Sequence, residues 1–145
     1  MIFYIWSSLI NGIVATVFGL FIYLQNKKRL VNKTLGLLTV GLAIWSYSYC
    51  VWLLSKNAES ALFWSRMLNF GATLIPIFYL HWIFAVLDLQ EKRKKILIIG
   101  YLFTLFFLFF SFSKFYIIGV KPILFFPYWP QAGILYIFYL VFGWI

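Results

Sequence analysis

Arg66 is the side chain in this sequence with the clearest capacity to hold a ligand. It stands five residues past Ala61, early in an apolar run over residues 61–87. A guanidinium there either reaches back to lipid headgroups as an anchor or faces inward and holds an anion. Trp64 lies two positions before it, and Trp45, Tyr49 and Trp52 close the preceding apolar run. The i, i+4, i+7 spacing of those three puts their rings on one helix face. That face is either a wall for a small ligand or aromatic packing between helices. As a site, Trp45, Tyr49, Trp52, Trp64 and Arg66 would form a ligand-binding cluster at one end of the second and third runs. The sequence does not name the ligand.

His81 and Asp88 are the second constellation. Seven residues apart, they lie two turns along one face of a helix, and a histidine with a carboxylate can exchange protons with a substrate. The structural alternative makes His81 a polar contact between helices and Asp88 the first residue of a loop. There is no second histidine, only three acidic residues and a single cysteine, Cys50, so the sequence offers neither a metal site nor an internal disulfide. Nothing resembles a Gly-rich phosphate loop or a nucleophile elbow, and no cofactor is implied.

The elements that must carry these residues are membrane helices. Hydrophobic residues make up 65% of the 145, aromatics 24% and charged residues 10%, against roughly 45–50% apolar and about 25% charged in ordinary soluble domains. The apolar runs are long and do not alternate, which in lipid selects helices over a barrel. They predict an all-α polytopic transmembrane bundle forming a single membrane domain, residues 1–145. Helices are expected over residues 2–24, 34–54, 61–87 and 96–112. A fifth, over 132–145, rises only ~21 Å against a hydrocarbon core of ~30 Å, which predicts four complete spans, a truncated fifth and a chain that continues.

The formal charge of +9 would suggest nucleic acid in a soluble protein, but its placement here suggests lipid headgroups instead. Lys27, Lys28, Arg29 and Lys33 fill the first loop, and Lys92, Arg93, Lys94 and Lys95 the third. Eight of the twelve basic residues thus fall on one side, which makes that side cytoplasmic and the amino terminus external. No cleavable signal peptide is visible at the start.

Residues 113–131 interrupt the helix-loop alternation. Pro122, Pro127 and Pro130 with Gly119 forbid a continuous helix. The Phe125-Phe126-Pro127-Tyr128-Trp129 run suits an extracellular segment lying on the headgroups, or a lid over a cavity. Within the spans, Asn11 and Asn69 are expected to bond neighbouring helices. Gly12, Ala15, Thr16 and Gly19 line one side of the first helix, where they admit a close neighbour. Gly71 would do the same in the third, and Pro76 would kink it.

Several of these residues carry a resemblance. Asn32 at the start of the second span, Ala43-Ile44-Trp45-Ser46 within it, Ala61-x-Phe63-Trp64-x-Arg66 at the start of the third, and Gly71 with Pro76 resemble the N-terminal seven-helix membrane region of bacterial and archaeal histidine kinases. Pro130-x-Ala132-Gly133-x-Leu135-Tyr136 resembles the start of that family's fifth helix. The resemblance implies a non-catalytic sensor domain in a prokaryotic cytoplasmic membrane, a homodimer, and attached cytoplasmic signalling modules of a two-component system.

A small membrane enzyme or transporter built on His81, Asp88 and the aromatic loop is the competing class. Transporters show paired halves with broken helices, and no such symmetry is visible here. The topology has a direct test. Cysteines placed at positions 28, 56, 94 and 114 in a Cys50→Ser background should react with a membrane-impermeant thiol reagent on intact cells only at 56 and 114. Labelling at 28 or 94 instead would invert the orientation.

Overall fold

The computed structural model describes residues 1–143, which form five helices and one β-hairpin. The chain runs through α1 (Ile2–Gln25), α2 (Leu30–Leu54), α3 (Ala58–Val86), α4 (Lys94–Phe110), β1 (Ile117–Ile123), β2 (Phe126–Ala132) and α5 (Ile134–Gly143). Residues 144 and 145, part of the expected fifth run, lie outside the described residues. Three helices, α1, α2 and α3, are long and apolar enough to cross a membrane. The 17 residues of α4 reach ~25 Å at ~1.5 Å each, so by length it falls short of the fourth full span expected.

The helices start earlier than hydropathy alone indicates, because the outer limit of an apolar run is not the outer limit of a helix. α2 takes in Leu30 to Lys33 and α4 takes in Lys94 and Lys95, residues with adequate helix propensity. α3 begins at Ala58 because the Asn57 side chain accepts from the Ser60 N–H at 2.8 Å, with Glu59 in the first turn. At its other end Asp88 has φ 55°, and Leu89 N donates to Phe84 O at 2.8 Å. This is a left-handed cap in which Asp is one of the few side chains tolerated.

The burial pattern is inverted relative to a soluble protein. Ser8, Thr34, Thr39, Ser46, Ser48, Ser65, Asn69, Thr73 and Thr104 are buried, while Phe3, Val14, Val17, Leu20 and Phe21 are exposed. Small and weakly polar residues let membrane helices approach, and their hydroxyls bond within the bundle. α2 is the central helix and packs most extensively on α3 and α1. Against α1, Asn11 donates to Ser46 Oγ at 2.6 Å, and Cβ atoms at Gly12 and Gly19 would run into the Tyr47 ring and the Thr39 side chain. Against α3 the approach is closer still. A Cβ at Gly71 would stand 2.7 Å from the backbone nitrogen of Trp45. Asn69, by contrast, bonds within its own helix, to Ser65 O at 2.8 Å, and does not bridge helices as expected.

The expected loop over residues 113–131 is a β-hairpin, so the bundle is not purely α-helical. Ile117, Ile118 and Val120 favour extended backbone, and the prolines that exclude helix are tolerated because both strands of a two-stranded sheet are edges. β1 and β2 pair antiparallel, with Ile117 opposite Ala132, Val120 opposite Pro130 and Ile123 opposite Phe126. At the tip Leu124 adopts φ 53° and is 90% exposed.

Gly71→Val should lower the stability of the detergent-solubilised protein by about 1–3 kcal/mol, since a backbone atom cannot yield as a side chain can. At Gly119 nothing stands within 4 Å of the position a Cβ would take, and valine there should be accepted within about 0.5 kcal/mol. Denaturant-induced loss of helical circular dichroism compares the two.

Candidate functional site beneath the hairpin

Of the five residues singled out in the sequence, Tyr49, Trp52 and Trp64 gather on one side of the hairpin, and Trp45 extends the row along α2. Trp45 stacks on Tyr49 with ring centroids 6.0 Å apart, and Tyr49 contacts Trp52 at 5.5 Å. Trp52, Leu53 and Ala61 form a buried cluster against which Tyr49, Trp64, Phe126 and Tyr128 pack. Trp52 is the hub. Its ring stacks on Phe126 at 5.8 Å and meets Trp129 edge-on at 5.8 Å, and its indole N–H donates to Tyr128 O at 2.9 Å. The Tyr128 hydroxyl donates in turn to Lys56 O at 3.2 Å, so β2 is bonded to both the end of α2 and the α2–α3 turn. Tyr4 near the start of α1 adds ring contacts to Phe125 and Phe126. The space left between Met1, Trp52, Leu53 and Phe126–Tyr128 is about 10 Å³, room for roughly one water.

Arg66 serves the other end of the hairpin. Its Nη2 donates to Ile117 O at 3.1 Å, at the start of β1, while its buried Nε has no hydrogen-bond partner among the described residues. Ile117 belongs to a second buried cluster with Phe107, Tyr116 and Tyr139. Arg66 therefore grips the strand rather than closing the aromatic wall formed by the other four.

The second cluster holds functional candidates that the sequence pattern does not single out. Tyr116 is fully buried, and its hydroxyl lies 2.9 Å from Thr73 Oγ1 on α3. Burial pushes the Tyr116 phenol well above its ordinary range, so it keeps its proton. Its carbonyl accepts from Gly133 N at 2.8 Å, Phe115 O accepts from Leu135 N at 3.1 Å, and a Cβ at Gly133 would collide with Phe115 O. The first turn of α5 is thereby locked to the segment leading into the hairpin.

Pro76 completes this arrangement. α3 continues through it, but proline has no N–H for the carbonyl four residues earlier, at Ala72. The Tyr139 hydroxyl of α5 donates to that carbonyl at 3.2 Å. Pro76 itself was visible in the sequence, and a carbonyl lacking its helical donor four residues before it was the available signal.

His81 and Asp88 bond to different partners. His81 Nδ1 lies 2.7 Å from the Tyr101 hydroxyl on α4, whereas Asp88 accepts from Gln90 Nε2 at 2.9 Å beside the helix cap. Among the described residues no three His, Cys, Asp or Glu side chains gather as a metal site would require.

The sequence matches the family profile described as the N-terminal 7TM region of histidine kinase, over residues 7–145. The chain belongs to this family. No curated protein and no solved structure matches it. As a histidine-kinase 7TM region it is a membrane protein of signal transduction, and the family's role is sensory input.

Trp52→Phe should retain the ring packing and lose the bond to Tyr128 O. A neutral hydrogen bond contributes about 0.5–1.5 kcal/mol, so the amides of Lys121, Trp129 and Gln131 should exchange about two- to tenfold faster. Hydrogen-deuterium exchange in nanodiscs reads this directly, with α1 amides as the unchanged reference.

Proposed function

We propose that this chain is the sensory input region of a multi-pass histidine-kinase receptor in the prokaryotic cytoplasmic membrane, its amino terminus outside and the kinase carried by another part of the receptor. The family match over residues 7–145 carries the reading. The excess of basic residues in the first and third loops supports the orientation. The receptor acts as a homodimer, as kinases of this type usually do.

In this reading the hairpin is the element that responds. Tyr49, Trp52 and Trp64 pack behind it, Trp45 stacks on Tyr49, and Arg66 holds its first strand. A small ligand arriving from outside displaces the hairpin from the aromatic wall and takes up part of that surface. It shifts the receptor only by the difference in its affinity for the two hairpin positions. The change passes on through α5, since Gly133 and Leu135 are bonded to the base of the hairpin and Tyr139 to α3 at the Pro76 position.

Arg66 provides the test. In the receptor that carries this region, Arg66→Leu removes the donor to Ile117 O, a charged hydrogen bond of about 1.5–3 kcal/mol, and should change basal autophosphorylation in membranes by at least about tenfold. Arg66→Lys keeps a donor and should stay within about threefold of the wild type. Equal activity of all three proteins, with equal membrane insertion, would remove Arg66 and the hairpin from signalling.

A further inference from the structure

A second cavity lies away from the hairpin, in the groove between α1 and α2. It has a volume of about 490 Å³, within the ~300–1,000 Å³ of small-molecule sites. Gly19, Gly36 and Ala43 leave it deep, and Val40 stands in its wall. Along α2 its lining runs from Lys33 to Tyr47, ~21 Å of helix, more than the depth of one leaflet of a ~30 Å core. The hydroxyls of Thr16, Thr39 and Tyr47 in its lining are already engaged. Thr39 donates to Gly36 O at 2.7 Å, Thr16 to Gly12 O at 2.8 Å, and the Tyr47 hydroxyl lies 3.1 Å from Thr16 Oγ1. What remains inside is an apolar trough.

One end of the trough is positively charged. Lys33 lines it there, and Lys27 Nζ stands 6.0 Å from the ring centre of Tyr23, which lines the same end. Lys28 and Arg29 occupy the turn between them, ordered by two bonds from their backbone N–H groups to Asn26 Oδ1. No acidic side chain precedes Glu59 in the sequence. These cations therefore have no carboxylate within either helix or the loop joining them.

An apolar trough more than one leaflet deep, ending at cations that no acid of α1, α2 or their loop offsets, fits the chemistry of a phospholipid with a net negative headgroup. We propose that the α1–α2 groove binds an anionic phospholipid, one acyl chain lying along Gly19, Gly36 and Ala43 and the phosphate held by Lys33 and Lys27. This site is separate from the hairpin and stands whether or not the sensory reading does. Either would survive the failure of the other.

The test uses the purified protein in detergent with equimolar dioleoylphosphatidylglycerol and dioleoylphosphatidylcholine, with lipid adducts counted by native mass spectrometry. The wild type should retain the phosphatidylglycerol in excess. Lys33→Gln should cut that excess about fivefold, the loss expected for one basic contact near an anionic surface, while Lys114→Gln should leave it intact. Val40→Trp fills the groove and should reduce adducts of both lipids. A photoreactive residue at position 40, introduced in the otherwise unchanged chain, should crosslink to lipid in membranes. Equal retention of the two lipids by the wild type, an excess that Lys33→Gln does not lower, or crosslinking at position 40 to another protein segment would each overturn the proposal.

Discussion

Backbone polar groups in hydrocarbon must find partners within the protein, since lipid offers none. That requirement accounts for more of this structure than any single contact. It makes the apolar runs helical, and it requires a substitute donor wherever proline interrupts the ladder. At Pro76 the interruption frees the Ala72 carbonyl in the middle of the bundle, and the partner comes from Tyr139, 67 residues along the chain. The same demand at the hairpin is met by Trp52, Arg66 and the N–H groups that open α5. Distant parts of the chain are thus joined at the places where regular hydrogen bonding stops.

Close helix packing works alongside this requirement. With no water to expel between helices in lipid, attraction depends on short distances, and Gly12, Gly19 and Gly71 provide them. α2 has one such contact surface toward α1 and another toward α3, which makes it the reference against which the rest of the bundle is positioned. The aromatic wall belongs to this same fixed helix. A hairpin resting on Trp52 therefore rests on the helix that packs most extensively on its neighbours.

The helices were legible in the sequence because hydropathy and length determine them almost alone. The shared face of Trp45, Tyr49 and Trp52 was legible from spacing, and so was the contact surface of small residues on α1. The β-hairpin was not. Prolines announced that residues 113–131 are not helical, but pairing between Ile117 and Ala132 is a long-range choice that no local pattern specifies. The partner of Arg66 was hidden for a related reason: a guanidinium near the end of a span suggests headgroups or anions, and a main-chain carbonyl 51 residues away leaves no trace in composition. Asp88 was open to two readings. Its spacing from His81 suggested chemistry, and its backbone conformation shows a helix cap.

Four of the side-chain bonds that hold the hairpin and α5 share one property: the acceptors are main-chain oxygens. Trp52, Arg66, Tyr128 and Tyr139 donate to the carbonyls of Tyr128, Ile117, Lys56 and Ala72. A carbonyl is present whatever side chain its residue carries. Evolution is therefore free to alter Lys56, Ile117 or Ala72 within the limits of packing, while the donors they face cannot be exchanged so freely. In descendants of this sequence the surface around the hairpin can diversify, and with it whatever meets that surface, without loosening the frame that holds it.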